Sequence, residues 1–301
     1  MTKPGGRPPT IARRVLAGAT APTRQTAGMD EPAGVDPAHA PTEGARFVGM
    51  ETTADPLRWR LPVTLDIGGG RGGLFGGCAV AAAVAGLERA TGRPLQWITA
   101  QFLVPATPPD VLEFELAHAG GGRNLTQARV EVRVGDRPTI TMLAGLGRRA
   151  DGDEHRWLAG PGSPPPPRQC PPAEDLHSGL RDRFDLRLAG RDSTAVTDGR
   201  SRYWCRADGV DLGTAEMAAI VTDFVPFGLT AALGRPVFGS SLDNTVRIVE
   251  RVSTEWALVE YAVESVDGSV AHVSSRVWSE TGRAVALASQ TCVVMERPDP
   301  T

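Results

Sequence analysis

Gly73-Leu74-Phe75-Gly76-Gly77-Cys78-Ala79-Val80 opens a run that continues through Ala81-Ala82-Ala83-Val84-Ala85 to Ala90, with Thr91-Gly92 as its stop signal. Small and apolar residues cover nearly every face of this segment, which predicts a helix buried all round rather than laid on a surface. Such a helix needs walls. The flanking residues supply them as strands: 59–65 before it, then 97–104, 111–117, 124–134 and 139–147. Turn residues at 105–110, Gly120-Gly121-Gly122 and Gly135-Asp136 punctuate these runs. Arg129-Val130-Glu131-Val132-Arg133-Val134 alternates strictly, as a strand with one wet face does.

The same order returns further along the chain. Residues 203–207 read as a strand, 212–233 as a second apolar helix closed by Gly234, and 244–250, 256–264, 272–279 and 284–294 as strands. Turns fall at Asp267-Gly268 and Thr281-Gly282. Asp110-Val111-Leu112-Glu113-Phe114-Glu115-Leu116 parallels Glu255-Trp256-Ala257-Leu258-Val259-Glu260-Tyr261, and the shared period of about 145 residues indicates duplication. Antiparallel strands hide a helix that is apolar all round only by curling about it. The expected fold is therefore α+β, a double hotdog: two tandem units, each a long buried helix wrapped by a curved antiparallel sheet. Two such units can join edge strands into one continuous sheet, which covers the exposed edges.

Composition sets the outer limits. The 301 residues carry 32 Lys and Arg against 35 Asp and Glu, a net charge of -3, so no basic excess points to nucleic acid or an anionic membrane surface. Cys78, Cys170, Cys205 and Cys292 lie far apart without a CxxC pair, which reads as separate reduced thiols of a cytoplasmic protein. The five histidines (His39, His118, His155, His177, His272) show no ligand spacing, and no metal site is expected. No uninterrupted apolar run reaches the roughly 18 residues of a membrane span.

Residues 1–45, rich in Pro, Gly, Ala, Thr and Arg, read as a disordered tail; Met29 and Met50 are alternative starts. Residues 46–150 form the expected first hotdog and 176–301 the second. Between them, residues 151–175 contain Pro164-Pro165-Pro166-Pro167 and read as a stiff, extended linker.

Several blocks resemble the type II acyl-CoA thioesterases and the related actinobacterial thioesterase-like proteins, which are double hotdogs. They are Gly76-Gly77-Cys78-Ala79-Val80-Ala81, Thr99-Ala100-Gln101-Phe102-Leu103-Val104-Pro105, Gly122-Arg123-Asn124-Leu125-Thr126, Thr222-Asp223-Phe224, Ser241-Leu242-Asp243-Asn244 and Ala288-Ser289-Gln290. The resemblance spans roughly residues 55–295 and rests on the order and spacing of the blocks. It implies hydrolysis of an acyl-CoA, or of an acyl group on a carrier protein, as part of lipid metabolism. A water molecule is the nucleophile, held by Asp223, Ser241 and Gln290. The chain departs from the pattern at Asn244, where the family often has His, and at Thr291-Cys292, where acidic residues commonly follow the Gln. Pro226, inside the second apolar segment, removes the hydrogen bond to the Thr222 carbonyl.

Each of these residues also has a plainer reading. Asp223 could cap a helix turn broken by Pro226, Ser241 could be a loop hydroxyl, and Gln290 could face outward. Asp243, two residues from Ser241 and so on the same strand face, is a second candidate carboxylate. Gly76 and Gly77 read either as a place where a thioester carbonyl meets helix N–H groups or as a site of close helix packing. Gly68-Gly69-Gly70-Arg71-Gly72-Gly73 lacks a GK[ST] ending and reads as a loop, with Arg71 a candidate contact for a CoA phosphate. The first helix has no acid matching Asp223, so one site per chain is expected. No cofactor is implied beyond CoA as part of the substrate, and the expected partners are an acyl thioester, an acyl carrier protein and a second copy in a homodimer. Two rival functions are a lyase, cyclase or acyltransfer enzyme of a secondary pathway, and a catalytically silent acyl-ligand binding protein.

Overall fold

The structure, a computed structural model, describes residues 40–148, 155–173, 179–190 and 198–296. The tail reading of residues 1–45 lies outside the described residues up to position 39, and the linker reading does so at 151–154, 174 and 175. The tail boundary is too late, because a short helix, α1 (Glu43–Val48), already buries Ala45, Phe47 and Val48. Thr42 caps it by accepting the Ala45 N–H, and Gly49 closes it at φ 77°.

The apolar run that opens the sequence argument folds as α2 (Gly76–Thr91), with every residue from Gly77 to Leu87 buried. Gly92 ends it in the left-handed conformation at φ 62°. Its small residues set the packing distance. A Cβ on Gly86 would lie 2.2 Å from the Trp59 ring, so glycine lets that indole lie against the helix. Trp59 also stacks on Phe114, with centroids 5.6 Å apart.

Among the described residues, thirteen strands form one antiparallel sheet. In the first half they are β1 (Glu51–Thr52), β2 (Arg58–Pro62), β3 (Leu95–Phe102), β4 (Val111–Gly121), β5 (Leu125–Val134) and β6 (Arg137–Gly147). In the second half they are β7 (Asp185–Gly190), β8 (Arg200–Arg206), β9 (Val237–Ser241), β10 (Asp243–Ile248), β11 (Ala257–Asp267), β12 (Val270–Ser279) and β13 (Ala284–Glu296). The order is β1-β2-β4-β5-β6-β3-β10-β13-β12-β11-β8-β7, with β9 added beside β13. The halves therefore join at β3 and β10, the edge pairing that the duplication called for.

The seam is centred on Thr99 opposite Thr245, whose hydroxyls meet at 2.7 Å. On their other sides Thr99 pairs with Leu143 and Thr245 with Ser289, so the duplication spacing recurs in the register. This is a double hotdog.

The second apolar segment is not one helix. It divides into α3 (Ala215–Val221) and α4 (Val225–Leu233), with Thr222, Asp223 and Phe224 between them. Residues Ala215–Leu233 are long and apolar enough to pass for a membrane span, but 72% of the stretch is buried inside the protein, as a core element is. Pro226 cannot donate to the Thr222 carbonyl, and Ser275 Oγ donates to it instead at 3.3 Å. Tyr261 supplies the neighbouring bond, its hydroxyl donating to the Val221 carbonyl at 2.5 Å.

The described part of the linker is not a free spacer. It crosses the outer face of the second half's sheet, where Trp204 Nε1 donates to the Pro165 carbonyl at 2.8 Å. Its Cys170 packs with Trp204, Leu258 and Trp278 in a small apolar cluster.

Candidate active site

The break between α3 and α4 turns Asp223 into the space between the two halves. Its side chain is 3% exposed and holds three partners. The Gly77 N–H donates to Oδ2 at 2.7 Å, Gln290 Nε2 donates to Oδ1 at 2.8 Å, and Ser241 Oγ donates to Oδ1 at 3.4 Å. Gln290 and Ser241 also bond to one another. The three residues implied by the resemblance thus form one cluster. Gln290 faces inward from β13, and Ser241 ends a paired strand, β9, rather than standing in a loop.

Burial pushes the Asp223 carboxyl up to about 7, against the opposing pull of its bonds from Gly77, Gln290 and Ser241. A carboxylate poised there exchanges protons near neutral pH, which is what a general base requires.

A cavity of about 560 Å³ opens on this cluster, within the roughly 300–1,000 Å³ usual for small-molecule sites. Asp223, Ser241 and Gln290 belong to its polar lining, as do Arg71 and Arg181, and Phe75, Phe102, Phe224 and Phe227 to its apolar part. Phe224 is held by ring contacts on three sides, with Phe75 at 5.2 Å, Phe184 at 5.1 Å and Phe227 at 5.7 Å. The cavity draws on both halves, since Gly76, Phe102 and residues 104–107 come from the first.

Gly76 and Gly77 serve packing and the site together. A Cβ on Gly77 would lie 2.8 Å from the Ala219 carbonyl oxygen, and one on Gly76 would lie 2.8 Å from the Phe102 ring. The sequence reading missed the further use of Gly77 as a donor to Asp223, because nothing in a Gly-Gly pair shows which backbone N–H lacks an acceptor. Arg71 lines the cavity, with its Nη1 against Met295 Sδ at 2.8 Å.

Asp243 stands apart. Its Oδ1 accepts the Thr291 N–H at 2.7 Å and it does not line the cavity. The expectation that it shares a face with Ser241 fails because the chain passes from β9 to β10 between them, at Leu242.

Residues 161–294 match a family model described as the acyl-CoA thioesterase C-terminal domain. A structure from Novosphingobium aromaticivorans, assigned as a thioesterase, is 28% identical and superposes with a TM-score of 0.73, covering 82% of this chain and 98% of its own. The tesB protein of Mycobacterium avium subspecies paratuberculosis is 18% identical, with a TM-score of 0.70 over 83% of this chain and 97% of its own. TesB2 of Mycobacterium marinum, an acyl-CoA thioesterase II, is 16% identical, with a TM-score of 0.68 over 85% and 100%. No curated protein sequence matches the chain. The chain has the double-hotdog fold of these thioesterase structures, and residues 161–294 are similar to the acyl-CoA thioesterase C-terminal domain family.

Proposed function

We propose that the protein hydrolyses the thioester of an acyl-CoA, or of an acyl group on a carrier protein, with a water activated by Asp223. One observation carries this reading: a buried carboxyl poised near neutrality borders an apolar cavity, with an amide and a hydroxyl bonded to it. Asp223 takes a proton from the water, and the hydroxide attacks the thioester carbonyl carbon. The oxyanion that forms would lie at the start of α2, where Gly76 lines the cavity, the Gly77 N–H being already committed to Asp223. The C–S bond then breaks and the proton passes to the leaving sulfur, giving a free acid and a free thiol. A thioester is already a good acyl donor, so positioned water and oxyanion stabilisation suffice.

The aromatic and aliphatic wall suits the acyl chain, and Arg71 at the cavity suits a CoA phosphate. The reaction needs no cofactor beyond the CoA carried by the substrate, and a cytoplasmic setting fits four buried free thiols. The test is thiol release from short, medium and long acyl-CoAs and an acyl carrier protein, comparing wild type with Asp223→Asn. Turnover that falls on the order of a hundredfold in the variant supports the reading. Acyl-CoA binding without thiol release from any substrate would overturn it.

A further inference from the structure

Two arginines line the cavity, and among the described residues no acid pairs with either of them. The only carboxyl in the described lining is that of Asp223, whose bonds come from Gly77, Gln290 and Ser241. Arg71, exposed at the cavity, meets Met295 Sδ and is the candidate for a CoA phosphate. Arg181 is partly buried, and the mechanism above does not use it. Its Nη2 donates to the Ala173 carbonyl at 2.6 Å and its Nη1 to the Phe184 carbonyl at 3.4 Å. Its Nε is buried and, among the described residues, has no acceptor. Both partners are neutral, so the guanidinium charge stands uncompensated in a cavity with an aromatic wall.

The arginine has a fixed seat. It belongs to a 3₁₀ turn, Gly179–Arg183, whose Leu180 N–H donates to the Gly68 carbonyl at 3.0 Å. Gly179 adopts φ 52°, and a Cβ there would lie 2.4 Å from the Leu65 carbonyl oxygen, so the turn presses against the first half. Just after the turn, the Phe184 ring meets Phe224 edge-on, and Phe224 follows Asp223. The two arginines mark different ends of the second half's sheet. Burial raises the Cys205 thiol, and the charge that opposes this rise is that of Arg181. Cys205 pairs with Ala257, where β11 starts and β12 stops. Met295, the contact of Arg71, lies at the other end, paired with Phe238 near the close of β13.

We propose that Arg181 is a specificity-determining residue that receives a carboxylate at the far end of the acyl group, so that the preferred substrate is the thioester of a dicarboxylic acid. With the thioester at Asp223 and a CoA phosphate at Arg71, Arg181 is left for the acyl end. A guanidinium fork matches a carboxylate with two parallel N–H bonds, and a cation among apolar groups gains most from a partner of opposite charge.

This inference rests on the thioesterase reading, but its test does not depend on turnover. Carboxyacyl-CoAs of several lengths are compared with their terminal methyl esters and with plain acyl-CoAs of equal length, using the full chain with and without Arg181→Gln. Calorimetry in an Asp223→Asn background, which spares the thioester, gives Kd, and thiol release gives kcat and KM. With Arg181 present, the best carboxyacyl-CoA should bind on the order of tenfold or more tightly than its methyl ester, and the gain should appear in KM. Arg181→Gln keeps a donor for the neighbouring carbonyls but carries no charge. It should abolish that preference, weakening the acid far more than the plain acyl-CoA. Equal weakening of all three substrates would mean that Arg181 only braces its turn, and overturns the proposal. A protein with Arg181 that binds the esters as tightly as the acids at every length overturns it too, and this comparison needs no Arg181 variant to fold. Carboxyacyl-CoA held through Arg181 without thiol release would sink the hydrolase reading alone.

Discussion

The backbone N–H of Gly77 donates to Asp223 Oδ2 across 2.7 Å, tying the first turn of α2 to the break between α3 and α4. The two residues are 146 positions apart, the duplication period, so the candidate base is held by the repeat that lacks one. Neither half contains the whole site.

Gly77→Ala tests that tie. The new methyl would meet the Ala219 carbonyl oxygen at 2.8 Å and the Ile220 Cα at 2.9 Å, and both are backbone atoms that cannot swing aside. Overpacking of this kind costs about 1–3 kcal/mol, and the shift lengthens the bond to Asp223. A lower unfolding midpoint in urea is expected, together with a loss of thiol release on the order of tenfold or more. A variant as stable and as active as wild type would show that α2 and α3 are not packed as described.

The acid limb of the pH–rate profile should report Asp223. The group works as a base only when ionised, and burial holds its carboxyl at about 7. The value of kcat/KM should therefore rise with pH from about 5 and level off above about 8, with an apparent midpoint near 7. A limb centred near 4, the range of an ordinary carboxyl, would place the essential base elsewhere.

The same burial has a stability signature. Below the unfolded value of 3.8 both states bind the Asp223 proton and no penalty arises. Between there and about 7 the unfolded chain has released it while the folded chain keeps it, so wild-type stability falls as pH rises through this window. Above about 7 both states are ionised and the full cost of the buried charge remains, at most on the order of 4 kcal/mol. Asp223→Asn carries no such charge. Whatever its stability relative to wild type at pH 4, the difference should move in the variant's favour by pH 8. Parallel urea midpoints for the two proteins across that range would contradict the buried, raised carboxyl.

Much of this was readable in the chain because it depends on period and order. The all-apolar run at residues 74–90, the alternation at 129–134 and the recurrence of both patterns in the second half dictate a buried helix, a curled sheet and a seam between repeats. Asp223, Ser241 and Gln290 came from short blocks whose order is informative. What escaped depends on contacts between distant residues. Val237–Ser241 is too short for its alternation to show, and it becomes a strand only by pairing with β13. Asp185–Gly190 alternates in Leu186 and Leu188 between polar neighbours, but two apolar positions in six residues are too short a period to mark a strand. The division of residues 212–233 at Asp223 follows from Pro226, but the proline alone does not say whether the helix bends or stops. Asn244 reads as one polar residue in a strand, and only the structure shows that it is fully buried.

The stop at Asp223 leaves two carbonyls to be satisfied, and this gives the last prediction. Tyr261 donates to Val221 O at 2.5 Å, a carbonyl that otherwise receives a long bond from the Phe224 N–H at 3.4 Å. Ser275 donates to Thr222 O at 3.3 Å, where Pro226 has no N–H to offer. Both acceptors sit at the edge of the residue that bears the candidate base. Tyr261→Phe keeps the ring's packing and removes the hydroxyl, leaving a buried carbonyl poorly paired at a cost of about 1–3 kcal/mol. Ser275→Ala removes a longer bond and should cost less. Because the loss falls on the backbone that aims Asp223, Tyr261→Phe should lower kcat several-fold as well as the urea midpoint, whereas a remote core substitution of equal cost should lower the midpoint alone. Stability and kcat measured for Tyr261→Phe, Ser275→Ala and a distant Ile98→Val separate the two cases. If all three lie on one line of activity against stability, the Tyr261 hydroxyl supports the fold without aiming the base.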